Sequence, residues 1–134
     1  MTPLFADTSY YVALLSPRDA VHEEATRVSQ SLARRVVLSD FILLELGNAL
    51  SGAGQRDLFA KLVPHLRSQA NVRIILASRE LLDRGLEFFG RRSDKLWSLT
   101  DCTSMVIMHD EGITDVLTTD HHFTQAGFNV LLRS

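Results

Sequence analysis

The chain has 134 residues, 46% hydrophobic and 22% charged, enough for one well-formed core and short for two. Lys and Arg total 14 against 16 Asp and Glu, a formal net charge of -2, which excludes a strongly basic nucleic-acid arm but leaves room for local patches. The single cysteine, Cys102, cannot form an internal disulfide, and the apolar run near the start is too short for a signal peptide or a membrane span, so a cytoplasmic protein without a membrane partner is expected.

Taken in chain order, "PLFA" (Pro3 to Ala6) reads as a first strand, followed by helices from Thr8 to Leu15 and from Ala20 to Arg34. A second strand, "VVL" (Val36 to Leu38), leads into the greasy helix of "LSDFILLELGNALSG". Gln55 to Gln69 is helical in pattern, with Pro64 expected to kink or split it. The third strand is "VRIIL" (Val72 to Leu76), and helices follow at Arg79 to Phe89 and Leu99 to Glu111, the latter stopped by Gly112. "DVLTT" (Asp115 to Thr119), a short helix "HHFTQA" ending at Gly127, and "NVLL" (Asn129 to Leu132) complete the chain. Short Val-, Ile- and Leu-rich strands alternating with longer amphipathic helices predict an α/β fold with a parallel sheet of about five doubly covered strands. The 3 prolines and 7 glycines are scattered and no linker or repeat appears, so residues 1–134 are read as a single domain.

Four carboxylates stand out. Asp7 follows the first strand and Asp120 the fourth, placing both at the carboxyl edge of the sheet, where open parallel sheets bind ligands. Asp101 lies in the first turn of the helix that leads to the fourth strand. Glu45 is the one acid in the middle of the greasy helix; with Leu43, Leu46 and Leu50 as the core-facing stripe, it points to the side or end of the sheet. Each has an ordinary structural explanation: Asp7 and Asp120 as helix N-caps, Asp101 in a capping box with Ser98, Glu45 as a rim residue. Capping does not explain why two strand ends carry Asp while the greasy helix brings its acid to the same place. Clustered carboxylates repel one another unless a cation lies between them, and an all-oxygen set suits Mg²⁺ or Mn²⁺ better than Zn²⁺. Such ions polarise a phosphate and activate a water for in-line attack, so phosphodiester hydrolysis is the natural chemistry.

These residues resemble the PIN-domain ribonucleases, in particular VapC-like toxins of bacterial toxin-antitoxin pairs. The resemblance covers essentially the whole chain: "DTS" (Asp7, Thr8, Ser9) after the opening strand, the acid in "LLELGNAL", "SLTDC", and "LTTDHHF" before the last strand. It implies a PIN-like three-layer α/β/α domain and a Mg²⁺- or Mn²⁺-dependent endoribonuclease whose acid pocket is Asp7, Glu45, Asp101 and Asp120. It also implies a homodimer silenced by a small antitoxin protein. By the same analogy Thr8, Ser9 and Thr100 orient the acids or the scissile phosphate. Some relatives carry another acid two positions beyond the fourth, where this chain has His122, and a single catalytic ion is then enough.

Arg91, Arg92 and Lys95 precede Asp101 and are candidates for an RNA-binding rim, weighed against ordinary solvated charges. Trp97 is a candidate base-stacking residue or, with Cys102, a hydrophobic staple. Asp94 is left outside the site. His121 and His122, adjacent on a helix, are expected to diverge, and Cys102 reads as a small buried residue rather than a nucleophile. Three alternatives compete with the toxin: a phosphoacceptor receiver domain, a non-catalytic PIN-like module binding RNA or protein, and an RNA-processing nuclease outside a toxin-antitoxin system. The receiver pattern expects paired acids after the first strand and a late lysine, and no lysine follows Lys95.

Overall fold

In the computed structural model, which describes residues 2–132, all five apolar runs read as strands pair into one sheet. These are β1 (Leu4–Ala6), β2 (Val36–Ser39), β3 (Val72–Ile75), β4 (Asp115–Leu117) and β5 (Asn129–Val130), all parallel, in the order β3-β2-β1-β4-β5. Leu4, Phe5 and Ala6 are all fully buried. Successive strand residues point to opposite faces, so the centre of the sheet is covered on both, as in an α/β/α arrangement. Thr118 and Thr119, read as part of the fourth strand, leave the ladder and turn into the site.

Among the described residues seven helices surround the sheet: α1 (Thr8–Leu15), α2 (His22–Ser31), α3 (Asp40–Ala49), α4 (Gln55–Ser68), α5 (Arg79–Arg91), α6 (Leu99–Glu111) and α7 (His121–Gln125). α2 is shorter than its apolar pattern. The Asp19 carboxylate accepts from Val21 N at 2.9 Å before it begins, and Leu32 is already extended at its end. α4 continues through Pro64 as one helix instead of splitting. The carbonyl that loses its partner belongs to Ala60, which is exposed and can be hydrated. Gly112 ends α6 in the left-handed region at φ 67, as its position predicted. α5 and α6 approach closely at Gly85, where an added Cβ would lie 2.5 Å from Thr103 Cγ2. Among the described residues no helix is long and apolar enough to cross a membrane.

The order of the strands sets the location of the site. From β1 the chain runs outward to β2 and β3, then crosses back to place β4 on the other side of β1. The crevice at such a reversal, beyond the strands' carboxyl ends, is free of crossing connections and collects loops from both halves.

Candidate active site

Asp7 N donates to Leu117 O at 3.0 Å, extending the β1–β4 ladder one step past the strand and bringing Asp7 beside Thr118. Thr118 Oγ1 donates to Asp7 Oδ2 at 2.7 Å. Ser9 Oγ lies 2.9 Å from Thr118 Oγ1 and donates to the same carboxylate oxygen at 3.3 Å. Thr119 N and Asp120 N close the network on Ser9 Oγ and Thr118 Oγ1 at 3.1 and 3.0 Å. One oxygen of Asp7 is therefore locked, while its other oxygen, Oδ1, is buried without a hydrogen-bond partner. Although Asp7 precedes α1, its side chain makes no capping bond to that helix. Burial pushes its carboxyl up to about 7, opposed by the Thr118 bond and reinforced by the neighbouring Asp101 and Glu45 charges.

For Asp101 and Asp120 the capping roles are real. Ser98 Oγ accepts from Asp101 N, and Asp101 Oδ2 from Ser98 N, both at 3.0 Å, forming the anticipated capping box. Asp120 Oδ1 accepts from His122 N at 2.9 Å at the start of α7. A carboxylate has two oxygens, so a cap does not remove it from a site. His122 Nδ1 meets the capping oxygens themselves, 3.1 Å from Asp101 Oδ2 and 3.2 Å from Asp120 Oδ1, so the second oxygen of each carboxylate takes no part in the caps. Glu45 is half-buried on α3, whose Ile42, Leu43, Leu46 and Leu50 face the core. Its neighbour Leu44 is 64% exposed, so this helix keeps more apolar surface outward than its composition suggested.

Asp7, Glu45, Asp101 and Asp120 line one open cleft of about 400 Å³, together with Thr8, Ser9 and, near the start of α2, a fifth carboxylate, Asp19. Thr100 is not among its walls; its carbonyl accepts from Thr103 Oγ1 at 2.7 Å within α6. Nor do Arg91, Arg92 and Lys95 rim the cleft. The intervening segment presents Leu96 and Ser98 to the acids and turns Trp97 the other way, into a groove of about 500 Å³ that Arg91 and Arg92 also line. Arg92 is held by Asp94 at 3.0 and 3.1 Å and lies 4.8 Å over the Trp97 ring; Lys95 Nζ is 6.0 Å from that ring. Trp97 is buried and donates Nε1–H to Gln125 Oε1 at 3.0 Å, leaving no open face for a base. Cys102 is buried and burial pushes its thiol up, the opposite of what a nucleophile needs. The expected divergence of His121 and His122 does not hold: their ring centroids are 4.7 Å apart, and ligand atoms of Asp120, His121 and His122 lie within 4.8 Å of one another.

Sequence reading missed Thr118, and its signal was present: a threonine one step past β4 meets the residue one step past β1 once those strands pair in parallel. Thr118→Val is expected to lower both divalent-ion affinity and cleavage by about 10- to 100-fold, the usual effect of removing a bond that orients a metal-site carboxylate. Calorimetric Mn²⁺ titration and an RNA cleavage assay measure the two effects.

The donor set fits a hard divalent cation. The open acceptors are carboxylate oxygens, and Asp7 Oδ1 is a buried oxygen lacking any protein donor, a position that is costly without a cation or a proton.

A family model described as "PIN domain" matches residues 4–129. The chain is 30% identical over 126 residues to the "23S rRNA-specific endonuclease VapC20" of Mycobacterium tuberculosis, covering 93% of this chain and 95% of that protein. The crystal structure of VapC20, described as a "Sarcin-Ricin loop cleaving toxin", superposes with a TM-score of 0.87 at 27% identity, covering 97% and 99% of the two chains. VapBC2 from Rickettsia felis, solved with a DNA fragment from its promoter, shares the fold with a TM-score of 0.65 at 13% identity, covering 97% of each chain.

Proposed function

This chain belongs to the PIN-domain family, and from that premise we propose that it is a Mg²⁺- or Mn²⁺-dependent endoribonuclease acting as the toxin of a toxin-antitoxin pair. The observation that carries the reading is the convergence of Asp7, Glu45, Asp101 and Asp120 on one cleft, with the buried Asp7 oxygen left unpartnered. Endonuclease activity on RNA is supported by the likeness to VapC20 across nearly the whole chain. An antitoxin partner is supported by the toxin description of that relative and by the shared fold with VapBC2. We read residues 1–134 as a single cytoplasmic domain that pairs as a homodimer; one continuous hydrophobic core supports the single domain.

Asp7, Glu45 and Asp101 would hold the ion, which when bound supplies a Lewis acid for the scissile phosphate and lowers the pKa of the attacking water. The chain contributes the geometry. Thr118 and Ser9 fix the Asp7 carboxylate from one side, so its free oxygen faces the cleft in a single orientation. The capping box ties Asp101 to the rigid first turn of α6. Five carboxylates in one cleft repel a phosphodiester, so without a cation the site rejects its own substrate, and binding of RNA and ion is coupled. Leu96, 91% exposed at the edge of this cleft, offers apolar surface to a sugar or base beside the cut.

The deciding experiment is cleavage of a hairpin RNA by purified protein in Mg²⁺ or Mn²⁺; activity that survives EDTA would sink the reading. Glu45→Gln is expected to weaken Mn²⁺ binding at least tenfold while leaving the thermal melt of the metal-free protein unchanged within about 2 °C, because a surface-accessible substitution contributes only about ±0.5 kcal/mol. Calorimetry and a circular-dichroism melt read the two effects.

A further inference from the structure

Resting on the metal-site reading above, we propose that His122 occupies the place a second cation would take, so that each chain binds one divalent ion. The cleft has two unlike sides. On one side, Asp7 Oδ1 is buried without a donor, and no donor among the described residues reaches Glu45. On the other, His122 Nδ1 lies between Asp101 Oδ2 at 3.1 Å and Asp120 Oδ1 at 3.2 Å. Carboxylate oxygens only accept, so this nitrogen donates its one hydrogen to Asp101 Oδ2, stands in contact with Asp120 Oδ1, and has no lone pair there to offer a metal. Each of the two oxygens also takes a backbone N–H, from Ser98 at 3.0 Å and from His122 itself at 2.9 Å. Asp101 Oδ2 thereby takes two donors, and Asp120 Oδ1 takes one with the imidazole against it.

The imidazole is held where it stands. Its side chain is only 20% exposed, its own amide is bonded to Asp120, and the next residue, Phe123, is fully buried. His122 thus bridges two acids that would otherwise repel, the task a second ion performs in a two-metal cleft. It is a positioning residue, and the free oxygens of Asp7 and Glu45, with the second oxygen of Asp101, define the side on which an ion binds.

The test counts ions. Wild type, His122→Ala and His122→Asp are titrated with Mn²⁺, with free Mn²⁺ followed by electron paramagnetic resonance and heat by calorimetry. Wild type is expected to bind one Mn²⁺ per chain. His122→Asp, which removes the bridging donor and adds an acceptor, is expected to bind two. A wild-type ratio of two overturns the proposal, as does a folded His122→Asp that stays at one. Loss of all Mn²⁺ binding in His122→Ala also overturns it, since His122 would then be a ligand. Wild type that binds no Mn²⁺ overturns instead the metal-site reading on which the proposal rests. If His122→Asp fails to fold, the wild-type ratio alone decides.

Discussion

Replacing Asp7 with Asn is expected to abolish RNA cleavage and, in the same variant, to make the metal-free protein more stable at pH 8. The loss of activity follows from removing the one buried acid oxygen left open to a cation. Losing several kcal/mol of charge stabilisation at the phosphate corresponds to on the order of 10³-fold in rate. The gain in stability follows from what Asp7 requires of the fold. Its carboxyl is pushed up to about 7 by burial beside Asp101 and Glu45, so at pH 8 the metal-free protein holds an unfavourable buried charge. That charge costs a few kcal/mol, at about 1.4 kcal/mol per unit of displacement. Asn is neutral and keeps an oxygen for the Thr118 hydroxyl, so the melting temperature should rise by roughly 10 °C for a chain of this size. At pH 5 folded Asp7 is protonated while the unfolded chain has released that proton, so the difference should shrink to somewhat over a third, and it should vanish only below about pH 4. An Asp7→Asn protein that cleaves like wild type, or that melts lower at pH 8 in the absence of metal, contradicts the role assigned to this residue.

The second large effect is a pH dependence that disappears when metal is added. The folded-state pKa of Asp7 lies above its ordinary value of 3.8, so the metal-free fold binds a proton that the unfolded chain has released. Its contribution to stability is complete below about pH 4 and is lost as pH rises toward 7, at about 1.4 kcal/mol per unit. A divalent ion must displace that proton. Between pH 5 and 7 the apparent Mn²⁺ affinity is therefore expected to rise about tenfold per unit and then level off. Saturating Mn²⁺ should raise the melting temperature most where the metal-free protein is weakest, above pH 7. Calorimetry in two buffers of different ionisation enthalpy counts the protons directly, with one released per ion at pH 6 and almost none at pH 8.5. Proton release that is absent at pH 6 would remove Asp7 from the metal's first contacts.

Most of the helix ends were legible because caps are local chemistry: Ser98 with Asp101 at α6, Asp120 at α7 and Gly112 at the end of α6 each act within a few residues. Asp101 and Asp120 also show why a cap and a cleft residue could not be separated at that level, since each carboxylate caps a helix and lines the cleft. That Pro64 does not split α4 could not be read locally, because the tolerance of a proline inside a helix depends on whether the freed carbonyl meets water, a property of the packed chain.

The sequence by itself determined the five strands and the sheet type and pointed the four acids to one edge, because burial period and strand-end position are written into consecutive residues. What converged with those acids was decided only by the tertiary structure. The parallel pairing of β1 with β4 sets Thr118 against Asp7 across 111 positions of sequence. The turn of the segment before α6 sends Arg91 and Arg92 into a different groove from the acids. The packing of α7 on its buried Phe123 brings His122 between Asp101 and Asp120. Each is a contact between residues far apart in the chain, and the direction of a side chain at such a contact is fixed by strand register and helix orientation rather than by its own neighbours.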